Sequence, residues 1–392
     1  PQAIDRSPSL YRYEFLMWLY ASIAMSVRQV VNPSYYGLED TETYTLNAYL
    51  SRLVETTLED LEDSGCIKVD DHSVQSLILG KIASQYYLSY LTVSMFGSNI
   101  GPNTSLEAFV HILSAAAEFD ELPVRHNEDT LNRTLCEKVP YSVDQHHLDD
   151  PHVKANLLFQ AHFSRAELPI SDYITDLKSI LDQSIRIIQA MIDVCANSGW
   201  LSSALTCMHL LQMIIQGLWF ERDSSLLMLP SMNDNLLDHL KGRGVSTVLS
   251  LLDHSREELH KLLQPFSAAD LYQDLQHFPR LDVKVKLQNE DKEQSKPQML
   301  NIRMQIKNTR RSPRVFSSKF PKAKQEAWWL VLGNTTSSEL YGLKRISFAD
   351  RVLNTRMELP PMLNIQEAKL IVVSDCYLGF DQEVSLGHLA KV

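Results

Sequence analysis

At about Pro279 the apolar residues change period. Upstream they recur three and four apart, as in Leu46, Leu50, Leu53, Val54, Leu58 and Leu61. Downstream they alternate, as in Leu281, Val283, Val285 and Leu287. The first spacing lines one face of a helix and the second lines one face of a strand. A chain that switches once, and does not switch back, is not a regular βαβ repeat around a parallel sheet. It predicts a multidomain fold, α first and then β.

Punctuation divides the helical part. Leu46 to Leu61 reads as a helix, Ser64-Gly65 stops it, and Cys66–Val69 and Val74–Leu79 read as short extended runs around a polar turn. Helix, stop and two strands suit a partial winged helix over 32–80, and equally an unrelated helix with a hairpin. Residues 81–220 predict a helical bundle with helices Ile82–Phe96, Ser105–Ala117, His152–Arg165, Asp172–Asn197 and Leu201–Trp219. Residues 221–278 predict a helix-loop-helix around Gly242 and Gly244. Residues 279–392 predict seven strands, the last being Cys376–Phe380, and hence an immunoglobulin-like β-sandwich. Residues 1–31 read as a divergent N-terminal segment. Its stretch Tyr13–Val27 is short for a bilayer span, which takes about 20 residues, so no membrane role is expected.

Charge narrows the function. The chain of 392 residues holds 37 basic and 48 acidic side chains, a net −11, so it is not a globally basic nucleic-acid binder. The five cysteines are scattered without a CxxC pair, which speaks against a zinc module or a secreted disulfide scaffold. There is no GxxxxGK[ST] phosphate loop, GxSxG elbow, HExxH or GxGxxG, so no ATPase site, no catalytic residue, no metal and no cofactor are expected.

One helix stands apart. At 100° per residue, Asp182, Arg186, Gln189, Asp193 and Asn197 fall within about 80° of one another, and the remaining arc is filled by Ile187, Ile188, Met191, Ile192, Val194 and Cys195. A narrow polar seam on an otherwise greasy rod suits a buried network, with Arg186 pairing with Asp182 one turn away, or the wall of a channel. A second candidate is the acid-free run 300–324, with Arg310, Arg311, Arg314, Lys319 and Lys322 as a basic patch or as a solvated loop. The cluster His146, His147, Asp149, Asp150 and His152 looks metal-like, but Asp149-Asp150-Pro151 reads better as a helix start. Of the adjacent Trp328 and Trp329, one should face outward and could mark an interface.

Five segments carry a resemblance. They are Asn32-Pro33-Ser34-Tyr35-Tyr36-Gly37-Leu38, Leu79 to Tyr87, Leu122 to Glu128, Pro151 to Leu158, and Ser374 to Gly379. In this order they resemble the Sec sixty-three homology module of Ski-two-like helicases. Arg222 to Leu227 and Val373 to Glu383 are most similar to the C-terminal copy in the helicase subunit of the activating signal cointegrator complex, then to that of the large spliceosomal helicase.

The resemblance implies the order winged helix, helical bundle, helix-loop-helix and immunoglobulin-like domain, without the two RecA-like motor domains. It also implies that Asp182 to Trp200 lies on the ratchet helix, which touches a single strand of RNA or DNA. Asp182, Arg186, Gln189 and Asp193 are then the strand-contacting set, with Gln189 standing where some members carry arginine. Motor domains and complex subunits are the implied protein partners, and the nucleus, with the cytoplasm second, the implied compartment. The competing reading is a protein-interaction scaffold with no nucleic-acid contact, which the acidic balance favours.

Overall fold

The computed structural model describes residues 31–37, 40–70, 73–264, 266, 269–288, 298–308, 314–361, 363–387 and 389. The chain forms two compact units, 1–76 and 77–392. In the first, helix α1 (Thr43–Asp63) ends at Ser64, Gly65 takes φ 70°, and strands β1 (Ile67–Asp70) and β2 (Ser73–Ser76) pair as an antiparallel hairpin. Glu62 fastens helix to hairpin by accepting the Val69 amide at 2.9 Å.

The second unit begins with helices. Where periodicity predicts a single helix Ile82–Phe96, there are two, α2 (Ile78–Tyr86) and α3 (Tyr90–Asn99). Tyr87 closes α2 in the left-handed region at φ 53°, and the Ser89 hydroxyl starts α3 by accepting the Leu91 amide. Then come α4 (Leu106–Ser114), α5 (Glu128–Cys136), α6 (Pro151–Phe163), α7 (Ser171–Asn197) and α8 (Leu201–Gln216). The start of α6 follows its sequence signal: Asp150 accepts the amides of His152 and Val153, and Pro151 takes the first turn, where its missing N–H costs nothing.

Helix α8 is the axis of the core. Leu210, Leu211, Met213, Ile214 and Ile215 on it are fully buried, as are Ile187, Ile188 and Met191 on α7. Phe159 and Phe163 of α6 extend the same core towards Phe119 and Trp219. Beyond the bundle, four short helices, α9 (Asp234–Gly242), α10 (Val248–Asp253), α11 (Arg256–Leu263) and α12 (Ala269–Leu275), occupy the region expected to hold two. Capping boxes at Thr247 and Ser255 start α10 and α11 and so divide one expected stretch in two.

The C-terminal part is two antiparallel sheets. Strands β3 (Leu281–Gln288), β4 (Met299–Ile306) and β7 (Val352–Glu358) form one in the order β3-β4-β7. Strands β5 (Ala327–Asn334), β6 (Glu339–Ser347), β8 (Lys369–Ser374) and β9 (Gln382–Ser385) form the other in the order β6-β5-β8-β9. Cys376–Phe380 is a turn rather than the last strand. The Ser374 hydroxyl accepts the amides of Cys376 and Tyr377, and Gly379 sits at φ 73°.

Trp328 and Trp329 are both buried, at 0% and 2% exposure, so the outward tryptophan is corrected. Alternation fails there because β5 is an inner strand covered on both faces, and every one of its residues is buried. At Gly333 a side-chain carbon would lie 2.8 Å from the Glu339 carbonyl and 3.0 Å from Leu201, so the β5 bulge and the start of α8 meet at a glycine. Further along α8, Gln212 donates to the Ser374 carbonyl at 2.8 Å and Gln216 to that of Cys376 at 2.8 Å. Bundle and sheets are thereby sewn along α8.

Candidate functional site: the polar seam of α7

Helix α7 runs unbroken for 27 residues with no glycine or proline in it. Its apolar arc is buried as the wheel predicts, while the polar seam meets α2 along part of its length, and four side chains on it have distinct surroundings.

Asp182 is exposed and pairs with Lys322, 2.5 Å away. Solvent screens such a pair, and it contributes little to stability. Arg186 does not pair with Asp182. Its guanidinium donates to the carbonyls of Tyr86 (3.1 Å) and Tyr87 and to Gln183 Oε1 (2.6 Å). These carbonyls sit at the end of α2, where the helix has no internal donor left, so Arg186 acts as a side-chain cap for a neighbouring helix.

Asp193 accepts the Tyr86 hydroxyl at 2.7 Å. Burial pushes the Asp193 carboxyl above the usual carboxylate range, against the opposing pull of that hydroxyl and of Arg345. The Tyr86 phenol is driven upward by burial and by the same carboxylate. Gln189, half-buried between these two contacts, has no hydrogen-bond partner among the described residues.

The basic run disperses. Arg310 and Arg311 lie outside the described residues. Arg314 bridges to Gln325, Lys319 is exposed, Lys322 holds Asp182, and Lys324 meets the buried Asp375. Between them the Ser317 hydroxyl donates to the Ile215 carbonyl at 2.6 Å, and Phe316 stacks on His277 at 4.3 Å. The segment therefore serves largely as a strap holding the sheets to α8.

The histidine cluster also separates. His147 faces Asp144 at 2.7 Å, while His152 faces Asp120 at 3.0 Å and the Ser114 carbonyl at 2.9 Å. Among the described residues no group of His, Cys, Asp and Glu could hold a metal ion. No helix among them is long and apolar enough to cross a membrane, and Tyr13–Val27 lies outside them.

Periodicity misses a buried ionic knot. The Lys154 ammonium, fully buried on α6, donates to Glu128 (2.6 Å), Asp176 (2.8 Å) and the Pro123 carbonyl (2.5 Å). Arg125 reaches the same two carboxylates at 2.9 and 2.7 Å. Burial raises both carboxyls, but the hydrogen bonds from Lys154 and Arg125 outweigh it and hold them below their ordinary values. The available signal was a lysine set among Val153, Ala155, Leu157 and Leu158, off the stripe that His152, Asn156 and Gln160 form at helical spacing. The knot ties α5, α6 and α7 together, so its charges are spent on structure.

Two family models match the chain. The Sec63 Brl domain matches residues 76–387, and a winged helix-turn-helix domain matches residues 12–71. The second match begins upstream of Asn32, inside the stretch expected to be divergent. Among curated relatives, the DExH-box ATP-dependent RNA helicase DExH14 of Arabidopsis thaliana is 60% identical over 96% of this chain and 17% of its own length. Activating signal cointegrator 1 complex subunit 3 of Rattus norvegicus is 34% identical over 95% of the chain and 19% of its own length. The U5 small nuclear ribonucleoprotein 200 kDa helicase of Homo sapiens is 34% identical over 94% and 17%. The chain thus spans less than a fifth of the length of these relatives.

Proposed function

We propose, from the premise that this chain belongs to the Sec63 Brl domain family, that it is an accessory module of an ATP-dependent nucleic-acid helicase. It guides a single strand of RNA or DNA and docks partner proteins, and it has no ATPase of its own. Residues 81–220 act as the bundle with α7 as ratchet helix, 221–278 as helix-loop-helix and 279–392 as an immunoglobulin-like sandwich. Residues 32–80 contribute to the winged helix. The module works beside motor domains and complex subunits, in the nucleus or the cytoplasm.

Gln189 is the observation that carries strand guidance. A half-buried amide without an internal partner, set in a polar seam on a greasy helix, can both donate and accept. Arg186 supports it from behind by fixing α2, and Asp182 and Asp193 set the edges. The scaffold reading has its own support, since Arg186, Asp182 and Asp193 are all engaged inside the chain.

Titration of a labelled single strand separates the two. Gln189→Ala is expected to weaken binding about 3- to 10-fold, the worth of one hydrogen bond. Arg186→Ala is expected to act through folding, lowering stability by about 1–2 kcal/mol as the α2 carbonyls lose their donors. Binding indifferent to Gln189→Ala removes strand guidance by α7, no binding at all leaves the scaffold reading, and ATP turnover by the chain contradicts the non-enzyme assignment.

A further inference from the structure

The outer face of the β3-β4-β7 sheet carries charges that neither the seam nor the strap uses. Alternation sends Val285, Leu300, Ile302, Met304 and Met357 inward, where all are buried. The middle of the opposite face, flanked by one row with Asp282, Gln305 and Val352 and another with Met299 and Glu358, is two neighbouring cross-strand rows. Register places Lys284, Arg303 and Asn354 side by side in one, and Lys286, Asn301 and Arg356 in the other. Together they line an open basin of about 620 Å³.

This arrangement works against folding. Lys284 stands directly opposite Arg303, a like-charge pair that destabilises an antiparallel ladder. Asp282 relieves it only in part. Among the described residues Lys286, Arg303 and Arg356 form no ion pair, and Asp282 is 4.0 Å from Lys284 but is held by Lys307 at 2.9 Å. Four cations thus crowd one sheet face of a chain whose net charge is −11. The face is complementary to a polyanion.

The chemistry narrows the polyanion further. A protein partner draws most of its energy from apolar anchors in pockets, and the two central rows here carry only lysine, arginine and asparagine, with Val352 the one exposed large apolar side chain in a flanking row. A phosphodiester backbone needs charge and donors alone, and the guanidinium forks of Arg303 and Arg356 match phosphate oxygens. With no aromatic side chain in either row, bases are not stacked, and sequence is not read. The patch is about 10 Å wide across three strands, room for one phosphodiester backbone. Asn354, whose amide both donates and accepts, suits the ribose 2′-hydroxyl.

We infer that the outer face of the β3-β4-β7 sheet, through Lys284, Lys286, Arg303 and Arg356, is a second binding surface that holds single-stranded RNA by its phosphates without reading sequence. It extends the nucleic-acid reading to another part of the molecule and does not depend on α7.

The test uses the full chain and a fluorescein-labelled oligouridylate of about 20 nucleotides, followed by anisotropy between about 50 and 200 mM salt. All three residues of the variant Lys286→Gln/Arg303→Gln/Arg356→Gln are exposed, and its circular dichroism melt is expected at or slightly above that of the parent, since the Lys284–Arg303 repulsion is removed. Affinity at the lowest salt should fall at least tenfold. The slope of log affinity against log salt should shrink by about 2, from three lost phosphate contacts at about 0.7 each. An unchanged affinity or slope overturns the proposal, and so does displacement of the RNA by polyglutamate, or by oligothymidylate, as readily as by unlabelled RNA. Gln189→Ala, measured alongside, keeps the two surfaces apart. If only that variant loses binding, the sheet site is refuted while strand guidance stands. If only the triple variant loses it, the sheet site is supported and the seam is not.

Discussion

Replacing Lys154 by methionine is expected to lower stability by about 3–5 kcal/mol, the cost of stranding buried charge. The methionine fills the space of the lysine stem, so packing is nearly preserved and the loss is electrostatic. Glu128 and Asp176, 2% and 4% exposed, would keep only Arg125. Thermal unfolding followed by circular dichroism should show the midpoint falling by roughly 5–8 °C. Adding Glu128→Gln and Asp176→Asn should return much of the loss, because the triple change removes the stranded charges with their partner. A Lys154→Met chain as stable as the parent would show the knot to be dispensable. The parent should also weaken in acid. Both folded carboxyl values are depressed, so this contribution is intact above the ordinary carboxylate value of about 4 and is lost as pH falls below it.

His162 predicts a separate loss in a higher pH window. It is buried on α6, its Nε2 lies 2.8 Å from the Ile214 carbonyl of α8, and the neutral ring donates there. Burial, reinforced by the positive charges of Arg165 and Lys319, lowers it from 6.5 to about 4, against the carbonyl, which favours the protonated ring. The folded value lies below the unfolded one, so stability is complete above pH 6.5 and is lost as pH falls towards 4. At about 1.4 kcal/mol per unit, the total is about 3 kcal/mol. Urea unfolding at a series of pH values should show the parent losing this amount relative to His162→Gln, whose amide can still donate to Ile214. Parallel pH profiles for the two proteins would refute the assignment.

Local signals in the chain were legible wherever one segment decides its own structure. The change of period at Pro279, the Asp150-Pro151 start of α6 and the length of α7 all follow from residues close in sequence. Helix α5 did not show, because the residues it buries are largely polar. Glu128 lies in the ionic knot, while Asn132 donates to the Leu148 carbonyl and accepts the Tyr173 hydroxyl. No hydropathy period marks such a helix.

The seam on α7 was equally readable as a stripe, but its occupants were not. Arg186 finds its acceptors on residues about a hundred positions upstream, and Asp182 finds Lys322 in the strap 140 positions downstream. The cations opposite one another on the outer sheet face are separated in sequence by a connection whose pairing register only the folded ladder fixes.

The stitching along α8 has a mechanical consequence. Two glutamine side chains and the serine hydroxyl of the strap fix the sheets to one helix at several heights, and Leu201 closes against the β5 bulge at its foot. A joint pinned at several points resists twisting in a way that a single pin does not. Tension applied to the β6-β5-β8-β9 sheet would be shared along α8 rather than carried through one hinge.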